Sequence, residues 1–81
     1  MKKEEVAERV IHITARELKI SEDRIKPEHH FALDLGADSL KSIELVAAFE
    51  EEFELDLNED EALKVKTVGG AVDFFAKLLS E

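Results

Sequence analysis

The 81-residue chain has no cysteine, no tryptophan, no tyrosine, a single proline and three glycines. Without cysteine it has no disulfide, no thiolate metal site and no cysteine nucleophile. No apolar run approaches the length of a membrane span, so no membrane insertion is expected. The opening Met1-Lys2-Lys3-Glu4-Glu5 lacks the apolar core of a signal peptide, and a cytoplasmic location is expected. No strand-like alternation, internal repeat or interdomain linker interrupts the chain. Basic residues are also scarce where acids are dense. Residues 27–62 hold twelve Asp or Glu against one base, Lys41, a net of −11 within a total of −9. That balance excludes nucleic acid and anionic membrane as favoured partners and points to basic protein surfaces. A solvated acidic face that only maintains solubility is the plainer alternative.

What is present is helical periodicity. Val6, Val10, Ile13, Thr14 and Leu18 recur at helical spacing, which predicts a helix over Lys3–Leu18 with His12 on its surface. Residues 19–37 show no long helix, and Pro27 disfavours helical geometry at Lys26. Ser21 and Arg24 bracket at most one helical turn. Ile20, Ile25, Phe31, Leu33 and Leu35 are spaced as anchors that return this loop to the core.

The centre of the chain is Leu33-Asp34-Leu35-Gly36-Ala37-Asp38-Ser39-Leu40. Gly36 can take a positive φ without a steric cost, which permits a sharp turn. Asp38 suits an N-cap, and Ser39 then falls in the first helical turn, where open N–H groups favour an anion such as phosphate. A helix over Ser39–Phe53 follows. Leu45, Val46, Phe49 and Phe53, with Ser42, form its core face. Leu40, Glu44, Ala47 and Glu51 form a second stripe, flanked by Asp38 and Glu50, of mixed acidic and exposed apolar character. This stripe reads as a docking surface for partners, against the alternative of a solvated face with one stray leucine.

Two other site readings fail on spacing. Asp56-Leu57-Asn58-Glu59-Asp60 resembles the start of a calcium loop, but the sixth and twelfth positions hold Glu61 and Thr67 instead of Gly and Glu. His29-His30 has no acid or cysteine spaced to complete a tetrahedral site, and no metal is expected. No catalytic residue is expected either, since Ala37-Asp38-Ser39-Leu40-Lys41 is not a nucleophile elbow. Asn58 predicts an N-cap for a short helix through Leu63, and Thr67 an N-cap for a last helix. That helix carries an apolar face of Val68, Ala71, Val72, Phe75, Leu78 and Leu79, with Phe74 at its edge. Gly69-Gly70 allows either close packing or fraying there. Together these elements predict one all-α domain over residues 1–81. It is a small four-helix bundle of three longer helices and one short one, with a long first loop.

Asp34-Leu35-Gly36-Ala37-Asp38-Ser39-Leu40, with Glu44-Leu45-Val46 and Glu50-Glu51-Glu52-Phe53, resembles the attachment motif of acyl carrier proteins and its continuation. Apolar positions from Val6, Val10 and Ile13 to Ala71-Val72 and Phe74-Phe75 extend the resemblance along nearly the whole chain. It implies a monomeric carrier with 4′-phosphopantetheine attached to Ser39, between Asp38 and Leu40. It also implies partners: a phosphopantetheinyl transferase, and acyl-transferring and ketosynthase-type enzymes with basic docking patches. An acyl chain would be sheltered among Phe31, Leu45, Val46, Phe49 and Phe74. Three positions depart from the fatty-acid carriers: Lys41 in place of a frequent acid, Ala47 for a bulkier residue, and Phe49 for a smaller aliphatic one. Phe49 is expected to shorten or reshape the acyl space, and Ala47 to open a way into it. An aminoacyl or peptidyl carrier and an unmodified acidic adaptor remain as alternatives.

Overall fold

The computed structural model describes residues 1–80. It contains α1 (Lys3–Leu18), a single 3₁₀ turn (Glu22–Arg24), α2 (Ser39–Phe53), α3 (Glu59–Leu63) and α4 (Val68–Leu79). No strand is formed among the described residues, and the expected all-α bundle of three longer helices and one short helix is what the chain adopts. α1 packs against both α2 and α4, and α3 against α2.

Local chemistry explains where α2, α3 and α4 start. Asp38 Oδ1 accepts from Lys41 N at 2.9 Å, Asn58 Oδ1 from Glu61 N at 3.0 Å, and Thr67 Oγ1 from Gly70 N at 3.0 Å. Each is an N-cap that satisfies one of the first-turn donors. Ser21 does the same for the 3₁₀ turn, accepting from Asp23 N at 3.3 Å. The C-termini are less regular: Lys19 and Glu54 close α1 and α2 in the left-handed region, at φ 58° and 54°.

The core is built from the apolar faces. Val6, Val10 and Ile13 of α1 are fully buried against Leu45, Phe49 and Phe53 of α2 and Val68, Ala71, Val72 and Phe75 of α4. Thr14 is buried among them with its hydroxyl donating to Val10 O at 2.7 Å, so no polar group is stranded. Leu78, expected on the apolar face of α4, is instead 39% exposed, because it lies at the edge of that face near the end of the helix.

The loop between α1 and α2 holds its shape by backbone bonds to the other end of the molecule. Gly69 N donates to Pro27 O at 2.8 Å, Val68 N to His29 O at 3.0 Å, and Phe31 N to Lys66 O at 2.9 Å. His30 and Thr67 form an isolated antiparallel bridge. This contact selects the close-packing role for Gly69: a Cβ there would stand 3.1 Å from Pro27 O. Ile25 and Phe31 are buried and Ile20 and Leu35 half-buried, as the anchor pattern predicts. Leu33 is the exception, at 84% exposed. The reason is a change of period. Asp34 N and Leu35 N both donate to His30 O, Gly36 N donates to Ala32 O and Ala37 N to Phe31 O. These turns put Phe31 and Leu35 on one face, four residues apart, and send Leu33 outward.

Thr67→Ala removes the α4 cap beside this contact. It is expected to cost about 1 kcal/mol and to lower the thermal midpoint by about 4–8 °C, measured by circular dichroism.

Candidate functional site

The turn that delivers Ser39 is constrained at each residue. Gly36 takes φ 77°, a conformation that side chains strain to adopt. Ala37 follows with only 2% exposure, its N–H donating to Phe31 O at 2.8 Å. Asp38 then caps α2, and Ser39 and Leu40 emerge exposed in the first turn. Lys41 N is held by the Asp38 side chain and Ser42 N by the Asp38 carbonyl at 2.8 Å. The N–H groups of Ser39 and Leu40 are left without an acceptor among the described residues. An exposed hydroxyl beside two open donors at a helix N-terminus is a suitable seat for a phosphodiester.

Asp34, earlier in the same turn, ties the loop down. Its Oδ2 accepts from His30 N at 2.7 Å and lies 3.3 Å from His30 Nδ1. The His30 backbone N–H, before any other influence, holds this carboxyl below the usual carboxylate range. His29 Nδ1 accepts from Lys26 N at 3.1 Å, so both histidines are engaged in the loop's own hydrogen bonds. Among the described residues, no group of three His, Asp or Glu is placed to hold a metal.

α2 presents three different faces around this turn. Leu40 is 64% exposed, and Ala47 and Glu51 are exposed near it, with Glu44 partly so. Ile43, 44% exposed, extends this surface and was not singled out by the sequence pattern. The available signal was its position: at about 100° per residue it falls beside Ala47 and Leu40, outside the core face. Glu50 is used differently from its neighbours, its Oε2 accepting from Leu57 N at 2.9 Å and bracing the turn toward α3. Lys41 alters the charge of the stripe. Its Nζ lies 3.3 Å from Glu44 Oε1 and 3.5 Å from Glu17 O, so it partly neutralises one acid while reaching the end of α1.

The core side of α2 borders an apolar cavity of about 260 Å³ between the loop, α2, α3 and α4. Phe31, Leu45, Val46, Phe49 and Phe74 all line it, together with Ser42, Leu57, Leu63 and Phe75. Exposed Leu33, His30 and Lys66 also border it, which places its mouth at the loop. Ala47 does not line it, so the expectation that Ala47 opens a way in is corrected: that residue faces solvent on the opposite flank of α2. Phe49 lines the cavity. Its ring lies 5.1 Å from that of Phe75 and 6.5 Å from that of Phe53.

A family model described as a phosphopantetheine attachment site matches residues 8–75. The chain belongs to this family. It is a carrier of covalent 4′-phosphopantetheine, and the geometry at the head of α2 fits that group. When attached, the group supplies a thiol, which this cysteine-free chain does not have. As a carrier domain it works with a phosphopantetheinyl transferase and with acyl-handling enzymes. No helix of the described residues is long and apolar enough to cross a membrane.

The lowered Asp34 pKa has a consequence for stability. A carboxyl depressed in the folded state stabilises the fold above its unfolded value of about 3.9, and that contribution is lost as pH falls through the lower folded value. Asp34→Asn keeps an oxygen acceptor for His30 N but cannot titrate. It is expected to flatten the acid limb of the melting midpoint below about pH 4, read from scans of parent and variant across that range.

Proposed function

We propose that this protein is an acyl carrier. It holds acyl intermediates as thioesters on a 4′-phosphopantetheine arm at Ser39, in fatty acid or related lipid or polyketide biosynthesis. The observation that carries the reading is the pairing of an exposed Ser39 at the N-terminus of α2 with an apolar cavity along the same helix. An aminoacyl or peptidyl cargo has less use for such a cavity. Ser39 Oγ makes no hydrogen bond to a histidine or carboxylate among the described residues, which suits a hydroxyl activated by a partner's base. In the loading step Ser39 Oγ attacks the β-phosphorus of coenzyme A. A new P–O bond forms, adenosine 3′,5′-bisphosphate leaves, and the serine proton passes to the transferase. Asp38 orders the turn through its cap, and Leu40 stands as the first apolar contact for the incoming enzyme.

Residues 1–81 act as one monomeric carrier unit in the cytoplasm, with no catalytic residues of its own. Leu40, Ile43 and Ala47 form the apolar part of its docking surface, with Glu44 and Glu51 as charge partners for basic patches. Glu50 serves there mainly through the turn that it braces. Ketosynthase-type and acyl-transferring enzymes dock on this face in brief, steered encounters.

Incubation with coenzyme A, magnesium and a promiscuous transferase is expected to add the mass of one phosphopantetheine to the parent and none to Ser39→Ala. A folded parent that gains nothing favours an unmodified adaptor. The association rate with the transferase is expected to fall steeply as salt rises, since exposed charges are screened over about 10 Å at 0.1 M. Stopped-flow mixing across a salt series measures it.

A further inference from the structure

A second pocket lies against the first loop, lined by Ile20, Arg24, His29, Asp34 and Leu35. It shares none of these residues with the apolar cavity and differs from it in carrying charged and polar groups. We infer that it holds a secondary amide, and that this amide belongs to the 4′-phosphopantetheine arm at rest on its own carrier. The inference rests on attachment at Ser39 as proposed above and adds a seat for the arm on this chain.

The polar groups of the pocket match an amide in sign. An amide offers an acceptor, its C=O, and a donor, its N–H. Arg24 supplies donors. Its guanidinium is exposed and has no ion pair or side-chain hydrogen bond among the described residues. His29 supplies another. Its Nδ1 accepts from Lys26 N at 3.1 Å, so the proton of the neutral ring sits on Nε2 and that nitrogen donates. Asp34 supplies the acceptor. Its Oδ2 is taken by His30, whereas Oδ1 has no partner among the described residues. A carboxylate would suit Arg24 but be repelled by Asp34, and an ammonium would suit Asp34 but be repelled by Arg24. A neutral amide meets all three. Ile20 and Leu35, both half-buried, are apolar walls that suit the methylenes on either side of it.

The arm is long enough. Leu35 stands four residues before Ser39, a separation of at most about 14 Å in an extended chain. Gly36 turns the chain between them at φ 77°. Extended at about 1.1 Å per bond, the arm carries its second amide roughly 12 Å from Ser39 Oγ. A tethered group meets its site at high effective concentration, so contacts open to water are enough to populate the seat. The seat uses no residue of α2, and the face bearing Leu40, Ile43 and Ala47 stays open for docking while the arm is held.

The test compares the isotope-labelled full chain by nuclear magnetic resonance before and after loading from coenzyme A, with intact mass confirming one phosphopantetheine. Loading is expected to shift the side-chain N–H resonances of Arg24 and His29. It is also expected to give nuclear Overhauser contacts between the methyls of Ile20 and Leu35 and the methylenes beside the arm's amide. Arg24→Ala removes donors at an exposed position. Asp34→Asn turns its oxygen to His30 N and presents a donor to the pocket in place of the acceptor. Each variant is expected to lose these contacts while loading remains complete. Shifts that stop at the residues flanking Ser39, or that fall instead on Leu33 and Val46 along the cavity, overturn this inference while the carrier reading stands. Contacts that persist unchanged in both variants overturn it too. A folded parent that takes up no phosphopantetheine overturns the carrier reading and this inference with it.

Discussion

Three backbone hydrogen bonds between the first loop and the start of α4 hold the rest of the molecule in its working shape. Pro27 O, His29 O and Phe31 N pair with Gly69 N, Val68 N and Lys66 O across 35 to 42 residues of sequence. Without them the backbone groups beside buried Phe31 and Val68 would lose their partners, and buried backbone N–H and C=O groups are rarely left unpaired. With them Phe31 is held in the core and the turns up to Ala37 have a fixed base. Ser39 is therefore presented by a braced loop. The same contact closes one side of the apolar cavity, since His30 and Phe31 border it from the loop and Lys66 from the segment before α4, across the bridge.

α2 combines several demands within four turns. Its N-terminus offers the exposed serine, its outer face carries mixed acidic and apolar side chains, and its inner face lines the cavity and the core. These faces are separated by helical geometry alone, so a change on one leaves the others in place. Lys41 shows how the outer face can be retuned. An ammonium between Glu44 and the end of α1 shortens the run of free acid next to Ser39 and leaves the remaining acids farther along the helix. On the proposed reading, partners meet an apolar contact near the arm and their charge contacts beyond it.

Helix positions were legible in the sequence because they depend on local chemistry. Asp38, Asn58 and Thr67 are caps whose side chains reach donors three residues away, and no distant contact is needed to recognise them. The apolar period of α1, α2 and α4 identified the core faces for the same reason. Phe31, Leu45, Val46, Phe49 and Phe74 line one cavity, and its use by an acyl chain belongs to the proposed function. Leu33, Ile43 and Glu50 were less legible. Leu33 looks like an anchor because it is apolar and stands midway between Phe31 and Leu35, and Ile43 lies between two faces. Glu50 has its carboxylate committed to a backbone donor seven residues on, which no local pattern indicates.

What the sequence determined by itself was therefore the set of elements, their starts, the charge imbalance and the serine at the head of α2. These follow from interactions within about one helical turn. Tertiary structure decided the path of the first loop, the close approach that requires Gly69, the outward position of Leu33, and the size and floor of the cavity. Each of these depends on groups brought together from distant parts of the chain. Close packing determines which of them fit, and periodicity along a single segment contains no record of the distance to its neighbour.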